Sequence, residues 1–165
     1  MPQTSRALEP RPRTEPIGTG MSDADRSAVA ASLAEILDGT YRLLVKTHVH
    51  HWNVVGPLFH PLHLMTEAQY QDLFAAADVL AERIRALGHP TAPPRVGSEK
   101  PSTADMSVEE LVADLVADNE ALIRTMRDAA EAAEEAHDPV THDLLVARMA
   151  VHEKAVWMLR AVIAA

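Results

Sequence analysis

Residues 48–71, HVHHWNVVGPLFHPLHLMTEAQYQ, decide the fold, because one helix ends inside them and another begins. Upstream, Leu33, Ile36, Leu37, Leu44, Val45 and His48 recur at three- and four-residue spacing, the 3.6 period of an amphipathic helix. Ser22 is its expected N-cap, and the helix should run from Asp23 to about Asn53. Gly56 and Pro57 stop it, since glycine supports a C-terminal turn and proline has no amide to continue the ladder. Downstream, Leu64, Tyr70, Phe74, Leu80, Ile84 and Leu87 carry the same period from near Phe59, with Pro61 tolerated in a first turn and Gly88 closing the helix.

The second half repeats the plan. Residues 89–103, HPTAPPRVGSEKPST, hold four prolines and one glycine, which predicts a long connection with at most a short helical turn. Ser107 and Glu110 form a capping box for a third helix carrying Leu111, Leu115, Val116, Leu122, Ile123 and Met126 on one side and ending near His137. Asp138 followed by Pro139 is an N-cap and first-turn pair for a fourth, with Leu144, Leu145, Ala147, Val151, Val156, Leu159 and Ile163 on its apolar side. Two long hairpins joined by one long crossover describe an all-α, ferritin-like four-helix bundle over residues 21–165.

Composition agrees. The 165 residues suffice for one domain, and 47% hydrophobic content with only six glycines favours helices. There is no cysteine, which excludes disulfides, thiolate catalysis and Cys-bound zinc, so a metal must sit on His, Asp and Glu. No apolar run approaches the roughly 20 residues of a membrane span and no secretory h-region opens the chain, so a soluble, cytoplasmic protein without membrane partners is expected. Of the net charge of −9, residues 1–20 contribute +1 from Arg6, Arg11 and Arg13 against Glu9 and Glu15. The remaining body is therefore acidic and repels a phosphate backbone. Four prolines in residues 1–20 predict an extended or disordered arm.

Five of the nine histidines lie in residues 48–63. His48, His51 and Trp52 share one helix face while His50 points elsewhere. His63 and Glu67, then Asp78 and Glu82, are i, i+4 pairs, each able to grip a cation and each equally readable alone as a solvated pair. His63 and Asp78 differ by about 60° around the helix but by about 22 Å along it, so one metal cannot touch both within one chain. Two second helices paired antiparallel about a two-fold axis remove the conflict, because the His63/Glu67 end of one meets the Asp78/Glu82 end of the other, with His51 joining from the first helix. Two imidazoles and three carboxylates suit Fe(II) or Zn(II), and iron oxidation is the natural chemistry. The usual di-iron set inside one bundle needs Glu-x-x-His on two helices. Here it occurs only as Glu134-x-x-His137.

KTHVHHWNVVGPLFHPLHLMTE (46–67) followed by DVLAERIRALG (78–88) closely resembles the Dps family, the DNA-binding mini-ferritins of starved bacterial cells. DPVTHDLL and EKAVW in the fourth helix extend the resemblance over about residues 25–162. It implies a hollow shell of twelve subunits with ferroxidase sites at two-fold interfaces. His51, His63 and Glu67 would come from one subunit, with Glu67 standing where Asp is common, and Asp78 and Glu82 from its mate. Fe(II) would be oxidised by hydrogen peroxide, or by oxygen, and stored as Fe(III) mineral. Zinc is the expected substitute metal. Trp52 is the neighbour able to take up oxidising equivalents or simply to pack an interface. His48, His50 and His60 match no ligand position and are expected to be helix-end polar groups, with an accessory metal contact as the alternative. Iron would enter by acidic three-fold pores, for which Glu131, Glu134, Glu135, Asp138 and Asp143 are the candidates, the same charges being equally those of a solvated helix end.

DNA contact is expected to be weak, since the chain has three lysines and its arm offers only Arg6, Arg11 and Arg13. The competing readings are a structural nucleoid protein whose metal site is vestigial or holds zinc, and a helical bundle without metal chemistry. The five-ligand set favours the ferroxidase.

Overall fold

In a computed structural model residues 13–97 and 106–164 are described; Arg6 and Arg11 lie outside them. Four helices follow in order, α1 (Asp23–Asn53), α2 (Phe59–Ala86), α3 (Val108–Glu135) and α4 (Pro139–Val162), and no strand occurs among the described residues. Each boundary has a local cause. Ser22 accepts from the Asp25 amide at 3.1 Å, and both halves of the Ser107/Glu110 box form. Asp138 accepts from the Thr141 amide at 3.0 Å, with Pro139 in the first turn.

The ends of α2 and α3 share one motif. Gly88 donates to Arg85 O and His89 to Ile84 O, the paired bonds of a Schellman cap; His137 to Glu134 O and Asp138 to Ala133 O repeat it. Gly88 sits at φ 90°, and a Cβ there would also meet the Glu15 carbonyl oxygen at 2.5 Å, so only glycine fits. At the second cap a histidine, His137, takes the left-handed conformation at φ 55°.

α1 packs against α2, α3 against α4, and the two hairpins meet chiefly through α1 and α3, whereas α2 and α4 scarcely touch. At the α1–α3 crossing Gly39 permits close approach, since a Cβ there would lie 2.7 Å from Leu122 Cδ1. Leu33, Ile36, Leu62, Leu80, Leu115 and Leu145 fill the core without measurable exposure. Ala147 and Val151, expected on the apolar side of α4, are exposed. Val45, Leu64 and Phe74, also expected inward, are exposed as well, Phe74 at 66%.

The inner part of the expected N-terminal arm, residues 13–20, forms no helix or strand and is anchored. The Glu15 amide donates to Gly88 O at 2.7 Å, and buried Arg26 donates to the carbonyls of Ile17 at 2.7 Å and Met21 at 3.1 Å. The crossover is tied to α1 through the Arg95 amide, which donates to Asp38 at 2.8 Å, and through Arg42, which donates to Arg95 O at 3.3 Å. No described helix is long and apolar enough to cross a membrane.

Candidate metal centre

The last turn of α1 leaves carbonyls without helical partners, and the first turns of α2 lie beside them. His63 Nδ1 bonds His51 O at 3.0 Å, and His51 Nδ1 bonds His63 O at 2.9 Å. A carbonyl only accepts, so both Nδ1 atoms donate, and each neutral ring keeps its lone pair on Nε2. The rings stack at 3.8 Å with an interplanar angle of 18°, and Phe59 backs His63 at 4.9 Å. This reciprocal lock fixes tautomer and orientation together, the task that outer hydrogen bonds perform for metal-binding histidines. His51 is buried, while His63 and Glu67 are half-buried. His48 lies between Trp52 at 4.2 Å and Tyr70 at 4.1 Å, and Tyr70 meets the His51 ring edge-on at 5.2 Å.

Asp78 and Glu82 are exposed farther along α2. The helix is unbroken from Phe59 to Ala86, so His63 and Asp78 stand about 22 Å apart along it. Among the described residues of one chain, no three His, Asp or Glu side chains converge to hold a cation. Phe74 lies between the two pairs and on the same side of α2, about 20° round from His63.

The acidic group at the α3–α4 corner divides. Glu131, Glu134, Glu135 and Asp143 are exposed, but Asp138 is only 2% exposed, which withdraws it from the expected pore lining. Its oxygens accept from the Thr141 amide at 3.0 Å, from the Thr141 hydroxyl at 2.6 Å and from Arg83 Nη2 at 2.7 and 2.8 Å. Burial alone would raise its pKa, but the Thr141 and Arg83 hydrogen bonds outweigh it and hold the carboxyl below its ordinary range.

Similarity to known proteins places these features. Residues 30–165 match the ferritin-like domain. The chain is 39% identical over 154 residues to a low temperature-induced protein of Nostoc, spanning 89% of this chain and 86% of that one. It is 40% identical over 124 residues to a DNA protection during starvation protein of Brevibacillus brevis, spanning 72% and 83%. The chain belongs to the Dps family. A crystal structure of Dps from Vibrio cholerae, described as one of the ferritin-like diiron-carboxylate proteins, superposes with a TM-score of 0.80 at 28% identity over 93% of this chain and 98% of that one.

Within the Dps pattern, Lys46 ties α1 to α3 by bonding Asp114 at 2.8 Å and Asp118 at 2.6 Å. His50 Nε2 bonds the other Asp114 oxygen at 2.8 Å. His50 is 1% exposed, so it is an interior strut and not the helix-end polar group the sequence suggested. Burial opposes the charge on Asp114, but Lys46 and His50 lower its pKa; burial likewise opposes the charge on Lys46, and the two aspartates raise its pKa. His60 is exposed and Arg13, the one described arginine of the arm, is too. The sequence reading also passed over His152, which is buried and bonded through Nδ1 to Asn119 Oδ1 at 2.8 Å. Nothing local marks that pairing.

Proposed function

We propose that this Dps chain oxidises and stores iron, consuming Fe(II) and hydrogen peroxide, or oxygen, at sites shared between paired subunits, and thereby protects DNA. The observation that carries the reading is the His51/His63 lock, which leaves two imidazole Nε2 atoms as oriented ligands, with Glu67 one turn on from His63 along α2. Antiparallel pairing of two α2 helices would set Asp78 and Glu82 of a second copy against them, and would cover Phe74 near the pairing centre. Such a site binds Fe(II) through imidazole and carboxylate, and its negative charge stabilises Fe(III). Two Fe(II) supply the two electrons and two protons complete the reduction of one hydrogen peroxide to two waters, so no hydroxyl radical is released. Zinc would compete for the same ligands without redox chemistry. Twelve copies of the 18.0 kDa chain make a shell of about 216 kDa. Glu131, Glu134, Glu135 and Asp143 remain the candidates for its iron-entry pores. DNA association, through Arg6, Arg11 and Arg13, is weak and salt-sensitive; a gel shift persisting well above physiological ionic strength would contradict it.

The test is subunit complementation. Fe(II) is added without oxygen, then peroxide, and Fe(III) absorbance is followed. Asp78→Ala/Glu82→Ala and His63→Ala should each be nearly inactive. Co-assembled from a denatured equal mixture, they should regain about a quarter of wild-type activity, because half the dimers are mixed and each mixed dimer rebuilds one intact site. Wild-type rates in the double variant, or no recovery on mixing, would overturn the shared site.

A further inference from the structure

Six rings run in continuous contact through the α1–α2 corner. Phe59 meets His63 at 4.9 Å, His63 stacks on His51 at 3.8 Å, His51 meets Tyr70 at 5.2 Å, Tyr70 stacks on His48 at 4.1 Å, and His48 meets Trp52 at 4.2 Å. The two proposed ligands stand second and third in this column. Tyr70 and His48, which take no part in the hydrogen-bonded lock, come next. Helical spacing aligns them: His48, His51 and Trp52 are i, i+3 and i+4 on α1, while His63, Glu67 and Tyr70 are i, i+4 and i+7 on α2.

The lock by itself leaves one freedom. A hydrogen bond from Nδ1 to a carbonyl fixes where that nitrogen lies, but its angular preference is broad, so the ring can rock about the bond and carry Nε2 with it. A metal ligand tolerates little of this, since its bond length must hold to within about 0.2 Å. His51 is restrained from two directions, by His63 at an interplanar angle of 18° and by Tyr70 at 72°. Contacts at such different angles restrict a ring about more than one axis, which a stack alone does not. Tyr70 is itself only half-buried. Its brace is His48, stacked on it at 24° and in contact with Trp52, so the column reaches solvent at a ring that is 63% exposed. Each contact is favourable beyond the area it buries.

The geometry points to Tyr70 and His48 as positioning residues of the proposed iron site: Tyr70 holds the His51 ring so that Nε2 keeps its aim, and His48 holds Tyr70. The inference rests on the shared-site reading and adds to it two residues that never touch the metal. It also gives a role to His48, which matched no ligand position. Ring contact is what each residue supplies, so phenylalanine at either position serves equally and an aliphatic side chain does not. His48 acts only through Tyr70, so its loss has no further effect once Tyr70 is gone.

The test is titration of the intact assembled protein with Co(II), which binds imidazole and carboxylate as Fe(II) does and whose visible absorbance reports ligand geometry. Tyr70→Leu should weaken binding about tenfold and shift the absorbance band, as expected when a group that orients a metal ligand is lost. His48→Leu should act in the same direction by a smaller factor, and the double variant should bind no more weakly than Tyr70→Leu alone. Tyr70→Phe and His48→Phe should bind as the wild type does. The affinity is that of the folded assembly, so a loss of packing stability alone leaves it unmoved; Tyr70→Met serves if Tyr70→Leu does not assemble. Wild-type affinity in Tyr70→Leu, equal weakening by Tyr70→Phe, or additive losses in the double variant would each overturn the proposal. A wild-type band that survives both His63→Ala and Asp78→Ala/Glu82→Ala would instead sink the shared site itself, and the positioning roles with it.

Discussion

The two tight corners of the molecule, α1–α2 and α3–α4, both join antiparallel helices and both gather polar side chains, yet they end with opposite valence. At α3–α4 every oxygen of Asp138 is taken, by its own helix start and by Arg83 across from α2. At α1–α2 the backbone consumes only one nitrogen of each ring, and His51 and His63 are left oriented with a lone pair over. Polarity at a corner therefore does not mark a site. What marks it is the bonding capacity that remains after the fold has been satisfied.

Experiments that exchange the two corners' properties test that distinction, beginning where the expected effect is largest. Asp138→Ala takes the carboxylate from half-buried Arg83 and the N-cap from α4, and should cost about 3 kcal/mol in denaturant unfolding, without slowing iron oxidation by the assembly that survives. Because the folded Asp138 pKa is depressed, its stabilisation is complete above the unfolded value of about 3.9 and is lost as the pH falls through the lower folded value. His152 loses stability in a different window. Its folded pKa of about 4 lies below the unfolded value of about 6.5, so as the pH falls between them the unfolded chain gains a proton that the folded one refuses. Stability should drop by about 3 kcal/mol per subunit over that interval, and His152→Gln should remove this part of the pH dependence; superimposable profiles would refute it. His63→Ala should slow Fe(II) oxidation about 100-fold, equivalent to about 2.7 kcal/mol, with unfolding little changed. Ser107→Ala, which deletes only a cap, should cost about 1 kcal/mol and leave oxidation untouched.

Helix boundaries were legible because their causes are local. Ser22, Ser107 with Glu110, Gly88, and Asp138 with Pro139 each act within a turn of the chain. The second Schellman cap was less visible, since His137 does the work usually marked by glycine. Asp138 carried two readings that compete for the same oxygens, and an N-cap aspartate beside a proline was the better guide. The roles of His50 and His152 depend on interhelical register, with partners 64 and 33 residues away, so no spacing along the chain announces them. The exposed Phe74 shows the converse: its helical period is the same whether its face meets the subunit's own core or another surface.

Gly39 gives the bundle its gauge. Helices are stiff rods, and the spacing of the two hairpins is set where α1 lies against Leu122 with no methyl group between. A residue as small as alanine there would act as a shim, unless Leu122 turned aside. Because α2 and α4 barely touch, the wedge would be felt on the far side of the bundle, as a change in the gap between them. A dimension on one side of the molecule is thus held by two residues on the other.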